Sequence, residues 1–514
     1  MRAKIFILLV FFLSLGFSQV ERWVYRYNGP QNGNDFAKAI VQDNQGNLYI
    51  AGSDGDFIVI SLTSDGEERW IYRYNGTANS DDGANSIIYG IDGNLYVCGY
   101  TTNTGRGKDI LVVSLTTNGE QRWIVEYNSE ENGNDEAFSI AQSSIGDLCV
   151  VGCFNEGGSL QWLGALGISS TGELRWGAGA GREGSESNAT KVILGADNHF
   201  YATGYVGMEF VIVALNLGIT VYYFESEYGD ASYSLTCDSN WHLYVCGSLL
   251  EDFTVMCCSL NEWLEVKWVY HYNGPGNGDD DAYDIVYGLD NNLYVVGKTI
   301  ANNLFSDFTV ISLTPDSQER WVYHYNGEAD SNDEAYSIAY GRDGNIYVCG
   351  YSTNNNTAAD FTVISLTSDG RERWVYSYNG SANGNDCAQS IIYGIEGNLY
   401  ICGYTTNNQT NIDFTVISLE PLPAIEERKS ISLHKLKINN FGREIEFIFN
   451  LSQSMKIPVS IYDPLGKKIL SFDINGKEGV FSYKKDLSNM PPGIYLLRVE
   501  IGNKISNRKL IILK

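Results

Sequence analysis

Residues 319–370 read ERWVYHYNGEADSNDEAYSIAYGRDGNIYVCGYSTNNNTAADFTVISLTSDG. Four runs in this stretch are rich in Val, Ile, Tyr, Phe and Trp: RWVYHY, AYSIAYG, NIYVCGY and DFTVISLT. Clusters of Gly, Asn, Asp and Ser bound each run, which is the pattern of short strands joined by turns. The turns RDGN (342–345) and SDGR (368–371) carry Asp-Gly, a pair that tolerates the positive φ of hairpin turns. Working outward, the stretch recurs. A marker aromatic follows the turn at Trp23, Trp70, Trp123, Trp176, Tyr222, Trp268, Trp321 and Trp374, with spacings of 47, 53, 53, 46, 46, 53 and 53. A period near 50 residues signals a solenoid, propeller or array. No apolar stripe at helical spacing runs through residues 21–423. Four strands per copy without a helix make one propeller blade, so eight copies predict an all-β, eight-bladed β-propeller over residues 19–419.

The chain enters on ERWVYRYN (21–28) and leaves on DFTVISL (413–419). With AYSIAYG innermost and ERWVYHYN outermost, the last blade lacks an outer strand and the N-terminus has one to spare. Residues 21–28 are therefore expected to pair with 413–419 and remove the exposed sheet edges.

Ahead of the repeats, Arg2 and Lys4 precede an apolar run from Ile5 to Gly16, and Gly16 and Ser18 suit cleavage after Ser18. Residues 1–18 read as a secretory signal peptide, and no later stretch is long and apolar enough for a membrane helix. Residues 424–514 hold 16 Lys+Arg and 9 Asp+Glu, a net of +7, so the total of −27 leaves −34 on the rest of the chain. A body this acidic repels nucleic acid and anionic membranes. Ten cysteines in an exported chain suggest disulfides. Yet Cys98, Cys246, Cys349 and Cys402 share a repeat position that is Ala51, Val151, Thr203 or Val296 in other copies, the mark of a small buried site.

Two resemblances follow. The turn SDGEERW (64–70), NGNDxA before the inner strand, DGNLYVCGYT (92–101) and DFTV resemble the bacterial β-propeller repeat family abbreviated SBBP. That resemblance implies the fold and little about activity. VSIYDPLGKKIL (459–470), DLSNMPPGIYLLRVEIGN (486–503) and the basic end NRKLIILK resemble the C-terminal sorting domain of the type IX secretion system. The resemblance implies export to the cell surface or medium, with the secretion machinery as partner. A small immunoglobulin-like β-sandwich at 433–514, joined by a linker at 420–432, fits the alternating pattern; a generic adhesion domain is the other reading.

Candidate chemistry is of two kinds. Asp35, Asp82, Asp135, Asp280, Asp333 and Asp386 all stand two residues before the repeat Ala, with Asn and Asp around them. Such oxygens suit calcium, and equally suit the capping of turns. No other cofactor is implied. Divergence from the repeat concentrates in blades three to five, where Trp162, His199, Trp241, His242 and Trp263 are unshared; unshared aromatics are the kind of residue that anchors a ligand. No histidine stands near a Ser or Cys in a nucleophile–base arrangement. The sequence therefore favours a non-catalytic, exported binding or adhesion scaffold for a protein, glycan or peptide. An extracellular polysaccharide lyase or hydrolase with its site in the funnel is the alternative.

Overall fold

The computed structural model describes residues 20–129, 132–155, 161–182, 185–215, 219–224, 230–260, 264–301, 305–420, 437–441, 444–451, 455–463, 467–476, 479–501 and 504–512. The expected signal peptide, the linker beyond Glu420 and Trp263 lie outside the described residues. The chain divides into two compact units at Leu422 and Pro423.

Among the described residues the first unit holds no helix and eight four-stranded antiparallel sheets, the architecture of an eight-bladed propeller. Seven sheets run in chain order. The eighth combines Cys387–Tyr393, Leu399–Asn407 and Asn411–Glu420 with the N-terminal strand Val20–Tyr27, in register from Val20 opposite Glu420 to Tyr27 opposite Phe414. Each sheet's first strand touches the first strands of both neighbours, all the way round from Phe36–Gln42 to Cys387–Tyr393 and back. The first strands thus encircle a central channel.

Burial follows from this stacking. Middle strands such as Phe57–Leu62 and Leu148–Phe154 are buried throughout, because neighbouring sheets cover both faces. They therefore read as continuous apolar runs rather than alternating ones. Sheets one and eight share a core in which Ile40, Ile50 and Ile60 meet Tyr400, Phe414 and Val416.

Every seam between sheets is stitched near the channel, and five are stitched again near the outside by a tryptophan. Near the outside, the Trp70 indole N–H donates to the Thr117 carbonyl of the next sheet at 3.1 Å, and Trp123, Trp268 and Trp321 repeat the bond to Ser170, Pro315 and Ser368 at 3.0–3.1 Å. The ring lies over the turn glycine of that neighbour; a Cβ on Gly119 (φ 84°) would be 2.7 Å from the Trp70 ring. Trp70, Trp123, Trp268 and Trp321 are seam packing. Near the channel, a backbone N–H just before each first strand donates to a carbonyl at the start of the third strand of the preceding sheet. Examples are Asp82 to Gly55 (2.9 Å), Asp386 to Ala359 (2.7 Å) and, between sheets one and eight, Asp35 to Ile412 (2.8 Å).

All ten cysteines are free, and all but the half-buried Cys237 are buried. The second unit is two sheets, one of Lys437–Phe441, Glu444–Leu451 and Gly479–Asp486 and one of Lys468–Gly476, Met455–Tyr462, Gly493–Ile501 and Lys504–Ile512. They enclose Ile445, Phe447, Ile457, Val459, Leu497 and Val499.

Candidate functional site

The channel lining is set by one glycine per blade. A Cβ on Gly99 would approach the Gly83 carbonyl to 1.9 Å, and Gly152, Gly350 and Gly403 show the same closeness at 1.9–2.0 Å. Only glycine lets the second strand press this closely on the first. Opposite it the first strand bulges: Ala84 pairs with Gly99 and Ser86 with Cys98, leaving Asn85 without a partner across the ladder. The same irregularity recurs in all eight sheets. Bulges re-aim a side chain, and here they present Lys38, Asn85, Phe138, Thr190, Tyr233, Tyr283, Tyr336 and Gln389 at one level of the ring. Lys38, Asn85, Phe138, Thr190 and Gln389 line one cavity of about 420 Å³ together with Phe36 and Tyr404.

The level divides into two arcs. On sheets five to seven, Tyr233, Tyr283 and Tyr336 form a row with ring centroids 5.3 and 5.5 Å apart. The Tyr283 hydroxyl donates to Asp281 at 3.2 Å and that of Tyr336 to Glu334 at 2.9 Å. Burial, then these carboxylates, push both phenols well above their ordinary range, so they stay protonated donors. On sheets one to three, Lys38 donates to Asn85 (2.5 Å), Asn85 to Glu136 (2.9 Å), and Lys108 to Glu136 (3.2 Å) while lying 3.6 Å over the Tyr100 ring. Burial lowers the Lys38 ammonium pKa, with Glu136 opposing. Phe138 and Thr190 bridge the arcs on one side and Gln389 on the other. An aromatic row with acid acceptors, facing an amide and ammonium network, can stack on the apolar face of a ligand and hydrogen-bond its polar edge.

Among the residues singled out from sequence divergence, His199, Trp241 and His242 stand on turns away from the bulge column, and Trp162 stands at the far end of its own sheet. His199 belongs to the turn between the first two strands of sheet four, and His242 and Trp241 to the matching turn of sheet five. Trp162 begins the third strand of sheet three opposite Phe154, at the other end of its sheet from the corresponding turn. His199 Nδ1 lies 3.0 Å from Asp197 and His242 Nδ1 2.9 Å from Asp238. In other copies Asn94 and Asn292 amides make that contact with Asp92 and Asp290 at 2.8 and 2.9 Å. Burial raises Asp238, but the bonds from His242 and neighbouring backbone outweigh it and hold the carboxyl below its ordinary range. These histidines replace a turn asparagine. His199 also borders a hollow of about 200 Å³ between sheets three and four, with Arg175 and Trp176.

The repeated aspartates are clamps. Asp82 accepts from the Gly76 N–H (2.8 Å) and the Thr102 N–H (2.6 Å), Asp135 from Ser129 and Asn155 (both 2.7 Å), and Asp333 from Gly327 and Thr353 (2.7 and 2.6 Å). Asp280 and Asp386 bind the corresponding pairs of N–H groups. The carboxylate ties the entering loop to the second strand. Among the described residues no three His, Cys, Asp or Glu side chains converge as a metal cluster.

The channel ring is what sequence reasoning missed. Its signal is the residue after the repeat Ala (Ser232 in the fifth copy), which reads Lys, Asn, Phe, Thr, Tyr, Tyr, Tyr, Gln round the eight copies. The divergence of blades three to five outweighs the variation of this one column and hides it.

Residues 444–513 match the secretion system C-terminal sorting domain family. The tail is a type IX sorting domain, which supports secretion or an outer-surface location and implies contact with the secretion machinery. No curated protein matches the chain in sequence. Among solved structures, a streptogramin B lyase is similar at 12% identity, TM-score 0.41, over 77% of this chain and 97% of that one. A protein of unknown function from Bacteroides caccae is similar at 10% identity, TM-score 0.36, over 64% and 93%. Prolyl oligopeptidase B from Galerina marginata is similar at 8% identity, TM-score 0.42, over 73% and 55%.

Proposed function

We propose that this chain is an exported, non-catalytic β-propeller of the SBBP type that binds a glycan in its central channel. The N-terminal strand closes the ring, and the immunoglobulin-like tail delivers the protein to the outer surface or medium. The single observation that carries the binding assignment is the bulge column. Eight copies that share one strand and turn frame place Lys, Asn, Phe, Thr, Tyr and Gln at the position aimed into the channel, and so make an asymmetric lining from a repeated frame. Half-buried tyrosine faces, carboxylates and amides supply what a sugar chain needs: a flat apolar surface and hydrogen-bond acceptors.

The test is retention of the mature protein on arrayed extracellular polysaccharides and on a peptide library, beside Tyr283→Ala. Glycan retention lost in the variant supports the assignment. Peptide retention alone replaces the ligand class, and shortened glycan products from the wild type turn the reading to the lyase or hydrolase alternative. Export is tested separately. A chain lacking residues 433–514 is expected to remain folded in the periplasm; unchanged surface display contradicts the role given to the tail.

A further inference from the structure

The inner stitch brings carboxylates together in pairs. The N–H of the clamp aspartate binds the carbonyl of the residue just before the acid that opens the third strand of the preceding sheet. Asp386 N–H reaches Ala359, the neighbour of Asp360, and Asp35 N–H reaches Ile412, the neighbour of Asp413. Some pairs contain an arginine: Arg73 lies 3.1 Å from Asp56, and Arg182 lies 2.7 Å from Glu209.

At the seam between sheets eight and one the aspartate clamp is incomplete. Asp35 is fully buried and Asp413 is 5% exposed. Asp413 Oδ2 accepts from Asn407 (2.9 Å) and Thr410 (2.7 Å), while its Oδ1 is buried without a partner. Asp35 Oδ2 accepts from the Gly29 N–H at 2.6 Å, and its Oδ1 is also buried without a partner. The second clamp N–H is missing because the second strand of sheet one, Leu48–Ser53, ends early in a tight turn at Asp54 and Gly55. Arg73 is taken by Asp54 and Asp56, and Arg26 by the side-chain oxygen of Asn407 at 3.2 Å. Two buried acids, each with an unmet oxygen, have no ion pair among the described residues. Burial is the main cause that raises Asp35 to about 6, and the charges of Asp54 and Asp413 add to it against Arg73.

We propose that Asp35 and Asp413 together bind a divalent, oxygen-seeking cation, calcium by preference, which clasps the seam where the last sheet of the propeller meets the first. Calcium takes six to eight oxygens, so water completes a two-carboxylate site, and the affinity belongs with extracellular modules at roughly 10⁻⁴–10⁻³ M. Calcium at ten times its dissociation constant shifts the folding equilibrium about 11-fold.

The experiment is calorimetric titration of chelator-stripped mature protein with calcium chloride, beside Asp413→Asn, with melting temperatures in 10 mM calcium and in chelator. Asn is close in shape and removes the repulsion, so the variant is expected to fold at least as well in chelator. The expected result is a calcium-dependent rise in Tm for the wild type and one fewer bound ion in the variant. Equal stoichiometry and equal calcium response in both proteins overturn the proposal. So does a wild type whose Tm is indifferent to calcium.

Discussion

The outside and the inside of this ring obey opposite rules. At the outer seam Trp70, Trp123, Trp268 and Trp321 make the same bond to the same turn in sheet after sheet. At the bulge, successive sheets carry Lys38, Asn85, Phe138 and Thr190, then the three tyrosines. Both positions are repeated, and both are fixed by a glycine that admits a close approach. The difference is what the side chain faces. The indole faces the neighbouring blade, whose turn is itself a copy, so one solution serves every seam. The bulge residue faces the channel, where packing asks for nothing in particular. Repetition builds the frame, and the freedom it leaves at one column builds the site.

The largest effect that bears on this contrast comes from the frame. Trp321→Ala removes a half-buried ring and its bond to Ser368. Large-to-small changes of this kind cost about 3–5 kcal/mol. A clear drop in denaturant midpoint with glycan binding unchanged below the transition is expected. A binding loss as large as the stability loss erases the distinction. Next, Tyr283→Ala should weaken glycan binding at least tenfold, about 1.4 kcal/mol, and cost less stability than Trp321→Ala; paired titration and thermal melts read both. A smaller effect is expected from pH. Asp280, Asp333 and Asp386 are raised from 3.8 to about 6, chiefly by burial and against the pull of their backbone clamps. A carboxyl raised in the folded state contributes stability that is fully present below 3.8 and is lost as pH rises through 6. The Tm in chelator should therefore fall between pH 5 and pH 7.5, and Asp386→Asn should flatten that slope. The smallest effect is that of His242→Asn, expected within about 0.5 kcal/mol, because Asn94 and Asn292 already fill that role in other sheets. A loss of binding in this variant would return the site to blades three to five.

The frame was legible because each blade needs the same strands, turns and glycines, so eight noisy copies reinforce one pattern. The tryptophans could be read as packing for the same reason. The site was less legible. His199 and His242 looked unshared by residue type, yet they make the hydrogen bond that asparagine makes elsewhere, and Trp162 is distant from both because strand direction reverses at each turn. Tyr283 and Tyr336 looked like ordinary strand residues until the bulge opposite Gly297 and Gly350 turned them to the channel. A bulge shifts the inside–outside alternation by one, and alternation alone cannot show where that happens. The clamp aspartates were ambiguous between turn capping and calcium for a related reason, since their second neighbour, the acid across the seam, lies in the preceding copy.

The most direct measurement is glycan affinity, by titration calorimetry, of a variant whose aromatic arc alone is rewritten: Tyr233, Tyr283 and Tyr336 each replaced by Thr, the residue that Thr190 places at the same column. Thermal melts run alongside. The account predicts a cooperative melt close to that of the wild type and binding reduced below detection. Undiminished affinity in the folded variant would contradict it, because the ring would then bind without the aromatic arc of the column that faces the channel.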